Sequence, residues 1–187
     1  MIDLFDAALE VQQFCLANEW RVCIIGGLAV LRWGKPRTTR DVDFQLLAGF
    51  GSELAFIDPV LSRFRSRITD ARRFAQESRV LLIQASNGMP IDVTLAGIPY
   101  EEEVVKRATP FRFAPDAELI TCSAEDLVVM KAFAGREQDW LDVQGVLKAQ
   151  SGRLDWDYVL KNVAALCELK EDYETPRRLE NVYRGKP

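Results

Sequence analysis

Apolar residues at Leu4, Phe5, Ala8, Leu9, Phe14, Cys15 and Leu16 recur at near-helical spacing, which predicts an amphipathic helix over residues 3–18. Val22-Cys23-Ile24-Ile25 is a short apolar run stopped by Gly26-Gly27, the pattern of a buried strand entering a tight turn. Leu28 to Trp33 follows as a short helix that Gly34 and Pro36 end. Residues 41–46 alternate strictly between polar and apolar, so they predict a strand with one face of each kind. Over 52–73 the pattern is helical, with Leu61, Phe64 and Ile68 as its buried stripe and a break expected at Pro59. Arg79 to Ala85 and Ile91 to Leu95 read as strands flanking the Asn87-Gly88 turn signal, and Glu118 to Cys122 reads as a last strand. At Ser123 the period changes. Ser123-Ala124-Glu125-Asp126 is a capping-box-like start, helical patterning fills most of 124–170, and Thr175-Pro176 opens another short helix.

This succession predicts an α+β (mixed α/β) chain: a small mixed sheet flanked by helices over residues 1–122, then a helical C-terminal region, 123–187, packed on that core. No internal repeat, low-complexity segment or long linker interrupts it. Composition narrows the chemistry sharply, because the 187 residues include no histidine. Ser-His-Asp and Cys-His catalysis, His-ligated zinc and any imidazole base are therefore excluded, leaving carboxylates, Lys, Arg, hydroxyls or bound metal. The 24 basic and 28 acidic residues give a net charge of -4, which does not by itself call for nucleic acid. Cys15, Cys23, Cys122 and Cys167 are widely spaced, form no CxxC pair and sit among apolar neighbours, as reduced buried thiols do. The acidic start Met1-Ile2-Asp3-Leu4-Phe5-Asp6 is unlike a signal peptide, and no apolar run reaches the roughly 18 residues of a membrane span. A cytoplasmic protein without a membrane partner is expected.

The centre of the candidate chemistry is Asp41-Val42-Asp43. Side chains two apart on a strand share a face, with Cα atoms about 6.5–7 Å apart. Two carboxylates so placed repel unless water screens them or a divalent cation sits between them. An acidic strand face exposed to solvent has the same pattern. Upstream, Gly26-Gly27 would let a triphosphate approach the backbone at the amino end of a helix, where N–H groups are unpaired, although a plain tight turn also uses two glycines. Lys35-Pro36-Arg37-Thr38-Thr39-Arg40 forms a basic, hydroxyl-bearing loop between the two. Asp92 is an isolated acid between Ile91 and Val93 on a later strand, a position that needs a partner if it is buried.

Gly26-Gly27, thirteen intervening residues, Asp41-x-Asp43 and the later Asp92 together resemble the nucleotidyltransferase fold of the DNA polymerase β superfamily. The string Arg37-Thr38-Thr39-Arg40-Asp41-Val42-Asp43-Phe44 is similar to the R-x-T-x-D-[IV]-D pattern of its minimal AbiEii/MenT-like members, and residues 131–142 are similar to that group's helical Lys…Asp motif. The resemblance implies that Asp41, Asp43 and Asp92 bind two Mg²⁺ ions. It also implies that a nucleoside triphosphate is held by Gly26, Gly27, Arg37, Thr38, Thr39, Arg40, Lys131 and Asp142. Asp92 would take the proton of an acceptor hydroxyl, and pyrophosphate would leave. Many superfamily members have Gly-Ser where this chain has Gly26-Gly27, so phosphate holding here must lean on backbone N–H groups, Thr38, Thr39 and the arginines.

Lys131 and Asp142 lie eleven residues apart. On one straight helix that is about 20° of rotation but some 16 Å of rise, so a shared contact requires a break, for which Ala134-Gly135 is the natural place. Asp139 lies near the same face, and solvated charges on a helix would look alike. Arg63, Arg65, Arg67, Arg72, Arg73 and Arg79 form a basic region that could receive an acidic acceptor, on a stretch that also suits an ordinary amphipathic helix. Phe133, Trp140 and Trp156 read as core anchors. The leading expectation is transfer of a nucleoside monophosphate to a hydroxyl of RNA, tRNA or protein, with a toxin–antitoxin or phage-defence role and a cognate antitoxin or toxin partner implied by the resemblance alone. The alternatives are a non-catalytic nucleotide- or partner-binding protein, against which the intact carboxylate set argues, and a nucleotidyltransferase acting on a small molecule such as an antibiotic.

Overall fold

The computed structural model describes residues 2–185. They form two compact units: the chain up to Leu28 with Thr38–Cys122, and Ala29–Arg37 with the chain from Ser123 onward. The second unit thus takes a segment from inside the range 1–122. The reason lies in its packing: the Gln150 amide donates to the Trp33 carbonyl at 2.8 Å, and Gly34 lies so near Val146 that a Cβ there would meet its methyl at 3.0 Å.

The first unit contains α1 (Ile2–Ala17), β1 (Val22–Ile25), the start of α2 (Gly26–Trp33), β2 (Val42–Leu47), α3 (Leu54–Arg63) and β3 (Arg65–Ser66). It continues through α4 (Ala71–Ser78), β4 (Val80–Gln84), β5 (Pro90–Ala96), α5 (Pro99–Arg107), β6 (Thr109–Ala114) and β7 (Ala117–Thr121). Among the described residues these strands make one seven-stranded mixed sheet of order β3-β4-β5-β2-β1-β7-β6. β2 runs antiparallel to β1 and parallel to β5, and β1 runs parallel to β7. Val42, Phe44 and Leu46 on β2 and Ile91, Val93 and Leu95 on β5 are almost wholly buried, whereas Asp43, Asp92 and Thr94 between them are only half-buried. That alternation supplies the core from one face and leaves Asp43 and Asp92 partly accessible on the other. α1 is pinned to β7 by a buried amide: Gln12 donates to the Glu118 carbonyl at 3.1 Å and accepts from the Ile120 N–H at 2.7 Å.

The expected break at Pro59 is absent, since Pro59 sits inside α3. A proline there forfeits one backbone bond, but the flanking Ile57 and Val60 are buried and anchor the turn. The helix stops instead at Phe64, whose extended backbone leads into β3. The helical pattern over 52–73 is split by β3 and overlaps only the first residues of α4, while α5 and β6 have no counterpart in the hydrophobic pattern. α5 is set by its ends, with Pro99 in its first turn and the Glu101 carboxylate accepting from the N–H groups of Gly97 (2.7 Å) and Ile98 (3.1 Å). β6 lies at the sheet edge with Thr109 to Arg112 exposed, so no alternation marks it, and its pairing with β7 is irregular between Arg112 and Ala114.

The second unit contains the rest of α2 with α6 (Ala124–Ala134), α7 (Glu137–Gln150), α8 (Trp156–Glu168) and α9 (Glu174–Tyr183). Ser123 caps α6, accepting from the Asp126 N–H at 3.1 Å and donating to its carboxylate at 2.6 Å. Asp126 is fully buried and its other oxygen accepts from the Tyr158 hydroxyl at 2.7 Å, which ties α8 to α6. Gly135, with φ 70°, ends α6. The four cysteines are buried and unbridged. No helix among the described residues is long and apolar enough to cross a membrane.

Candidate active site

The register of β2 against β5 sets Asp43 directly beside Asp92 on adjacent parallel strands. Such neighbours lie about 4.8 Å apart along the hydrogen-bonding direction, and both side chains then leave the same face. Asp41 sits one residue before β2 and is exposed, its carboxylate accepting from the Thr39 hydroxyl at 3.0 Å. The structure therefore brings Asp41, Asp43, Asp92 and Thr39 together in the first unit.

Gly26 and Gly27 belong to this group by shape. Both lie in the first turn of α2, directly after β1, so the expected turn is the helix start itself. Gly26 has φ +63°, and a Cβ there would fall 1.8 Å from Asp43 Oδ2. A Cβ on Gly27 would fall 2.3 Å from the Thr39 hydroxyl oxygen. The Gly27 N–H donates to Asp43 Oδ2 at 3.4 Å. The two glycines thus clear space for one carboxylate and one hydroxyl. Thr38 and Arg40 are exposed on the same loop.

Asp92 is held by a partner that the chain pattern did not announce, for the guanidinium of Arg67 bonds its Oδ1. Burial pushes the Asp92 carboxyl above the usual carboxylate range; Arg67 pulls against that shift and the negative charge of Asp41 adds to it. In the sequence Arg67 is one of six arginines that make a basic region. Four of the other five are also matched with acids: Arg63 with Glu10, Arg72 with Asp58, Arg73 with Glu77 and Arg79 with Glu53. Carboxylate oxygens alone form a hard donor set of the kind Mg²⁺ takes, and the missing Cβ at Gly26 is what lets Asp43 Oδ2 lie against the start of α2. Among the described residues, however, no three His, Cys, Asp or Glu side chains are gathered as a ready-made ligand group. Asp92 faces a guanidinium instead.

The second unit collects Arg37, Lys131, Asp139 and Asp142. The break at Gly135 separates α6 from α7, which brings Lys131 Nζ to 2.8 Å from Asp139 Oδ1 and 3.0 Å from Asp142 Oδ2. Arg37, the last residue of the Ala29–Arg37 segment, grips Asp142 with two bonds of 2.7 and 2.8 Å. Gln138 adds a third at 3.1 Å, and Arg136 holds Asp139 at 2.6 Å. Lys131, Asp139 and Asp142 are 7%, 1% and 4% exposed, so these are buried, mutually satisfied charges and not a solvated helix face. Burial opposes ionisation of both acids, but the bonds from Arg37 and Lys131 to Asp142, and from Arg136 and Lys131 to Asp139, outweigh it and hold both carboxyls below the usual range.

These arrangements give two expectations. Gly26→Ala should strain a left-handed backbone and drive a methyl into Asp43, lowering stability by about 1–3 kcal/mol; an unchanged melting temperature would show that the close approach is not real. Lys131→Met removes one cation from buried acids and should cost about 3 kcal/mol in a urea titration. Because the Asp139 and Asp142 values are depressed, their contribution is complete above the ordinary carboxylate pKa and is lost as pH falls through the depressed values. Melting temperature should therefore fall on acidification below about pH 4, less steeply in Asp142→Asn.

Known proteins give this geometry a context. Solved structures with similar folds include an antigenic nucleotidyltransferase-like protein from Paracoccidioides brasiliensis, at TM-score 0.55 and 13% identity over 97% of this chain and 92% of that one. Another is the antibiotic-resistance factor ANT(2'')-Ia, at TM-score 0.52 and 13% identity over 97% and 91%. At such identities the likeness concerns the fold, which is nucleotidyltransferase-like. No curated protein matches the sequence. The model of the family DUF6036, described as nucleotidyltransferase of unknown function, matches residues 2–184. With nearly its whole length matched, the chain belongs to that family of nucleotidyltransferases.

Proposed function

We propose that the protein transfers a nucleoside monophosphate from a nucleoside triphosphate to a hydroxyl acceptor with the help of Mg²⁺. The observation that carries this reading is the register pair Asp43–Asp92, with Asp41 beside it and the start of α2 packed against Asp43. Asp41, Asp43 and Asp92 would hold the two metal ions, which when bound neutralise triphosphate charge and ease ionisation of the acceptor hydroxyl. Asp92 receives the acceptor proton; the freed oxygen bonds to the α-phosphorus, and the bond to pyrophosphate breaks. Gly26 and Gly27 let the triphosphate close on the amino end of α2. The Thr39 hydroxyl, standing where a side chain at position 27 would begin, provides the hydroxyl that a Gly-Ser turn would carry, and Thr38 and Arg40 flank it.

Arg37, Lys131 and Asp142 fix the Ala29–Arg37 segment within the second unit through their ionic cluster. The string Arg37 to Phe44 supports an AbiEii/MenT-like placement, and with it a toxin–antitoxin or phage-defence role with a cognate partner. A macromolecular acceptor, RNA, tRNA or protein, goes with that placement. The arginine region favours a second reading. With five of its six guanidinium groups matched to carboxylates, it offers little bare positive charge to a polyanion, so a small hydroxylated molecule is the competing acceptor. Incubation with each labelled triphosphate, Mg²⁺ and either tRNA, protein or an aminoglycoside separates the acceptors by which one becomes labelled; label in none would sink the proposal.

Asp43→Ala and Asp41→Asn should each abolish Mg²⁺-dependent turnover while the melting temperature holds or rises, since a like-charge contact is relieved. Full activity in both variants would remove these acids from the site. Asp92→Asn should lower kcat with little change in nucleotide affinity, because proton transfer belongs to the chemical step. An equal loss of nucleotide binding would make Asp92 a ligand of the triphosphate-side ion instead.

A further inference from the structure

Arg67 differs from its neighbouring arginines in where its charge goes. Arg63, Arg72, Arg73 and Arg79 pair with acids outside the candidate site, whereas Arg67 bonds Asp92. Its backbone is fixed for the purpose: the Arg67 N–H donates at 2.9 Å to the carbonyl of Leu82, and Leu82 is the residue that faces Asp92 in the pairing of β4 with β5. The preceding Ser66 hydroxyl donates to the Ile68 carbonyl at 2.8 Å and accepts from its N–H at 3.1 Å, locking the turn that carries Arg67. The pair is neither sealed nor free in water, with the Arg67 and Asp92 side chains 28% and 35% exposed. A contact of that kind is strong enough to form and accessible enough to be replaced.

We propose that Arg67 is a displaceable counter-cation: it holds the Asp92 carboxylate while no divalent ion is present, and it must leave before Asp92 can take one. This rests on the reading of Asp41, Asp43 and Asp92 as metal ligands. Three neighbouring acids repel, and Asp41 acts on Asp92 in that unfavourable sense. Arg67 relieves the repulsion with a fixed positive charge from the chain itself. A divalent ion arriving alone at Asp92 meets both a committed ligand and a like charge. An ion arriving with a triphosphate brings the anionic oxygens to which a released guanidinium can turn. Arg67 is thus a positioning residue that acts through Asp92 and makes ion entry there depend on the nucleotide.

Mn²⁺ titration of the full chain without nucleotide, followed by electron paramagnetic resonance, tests this independently of turnover. Arg67→Met should bind Mn²⁺ at least tenfold more tightly than wild type, Arg67→Lys should fall between them, and adding Asp92→Asn to Arg67→Met should remove the gain. Should Arg67→Met melt early, Arg67→Gln, uncharged but polar, serves the same comparison. If the uncharged variant binds Mn²⁺ like wild type while Asp43→Ala loses it, the metal site stands and the role of Arg67 is overturned. If neither Asp43→Ala nor Asp92→Asn alters Mn²⁺ binding with either residue at position 67, the reading of the acids as ligands fails, and the inference fails with it.

Discussion

Two carboxylates on adjacent parallel strands, side by side in register, are held together by the backbone ladder against their own repulsion. Asp43 and Asp92 are in that position because β2 pairs with β5 from Val42–Ile91 through Leu47–Ala96. Sliding either strand by one residue would turn its acid into the apolar core, and Val42, Phe44, Ile91 and Val93 prevent the slip by being buried. The apolar face therefore fixes where the acids stand, and the groups around them answer the charge: the Gly27 N–H and the space at Gly26 for Asp43, the Thr39 hydroxyl for Asp41, the guanidinium for Asp92.

The second unit handles charge differently. Lys131, Arg37 and Arg136 surround Asp139 and Asp142 so fully that both acids are almost hidden from water. Buried ion pairs of this kind recover their desolvation cost only when hydrogen bonding is nearly complete, and here each carboxylate has several donors. Such an arrangement tolerates little change of shape. It fixes the segment ending at Arg37, four residues before Asp41 in the chain. The candidate-site acids of the first unit stay accessible to water, Asp41 exposed and Asp43 and Asp92 in part.

Much of this was legible in the chain. Alternation locates β2 and β5, because burial on one face writes a period of two into the sequence, whereas β1 shows as an apolar run ending at Gly26-Gly27 and β4 as the apolar run before the Asn87-Gly88 turn. The break at Gly135 followed from the distance between Lys131 and Asp142. What stayed hidden depends on contacts remote in sequence. Arg67 reaches Asp92 across 25 positions and looks locally like any arginine in a basic stretch. The burial of Lys131 is unreadable from its own turn, because the acids that satisfy it sit on the next helix. β6 gave no signal since an exposed edge strand needs no apolar alternation, and Pro59 misled because its buried neighbours hold α3 through it.

The outermost strands carry a consequence of another kind. A sheet can grow by lending unpaired backbone groups at its edge to another chain. Here one edge is β3, two residues long, and the other is β6, which contains Pro110 and loses its regular register near Arg112. A proline offers no N–H to an incoming strand, an irregular ladder twists away from one, and a two-residue strip gives too few bonds to nucleate pairing. Concentrated solutions of the folded chain are accordingly protected against strand-to-strand polymerisation at both ends of the sheet.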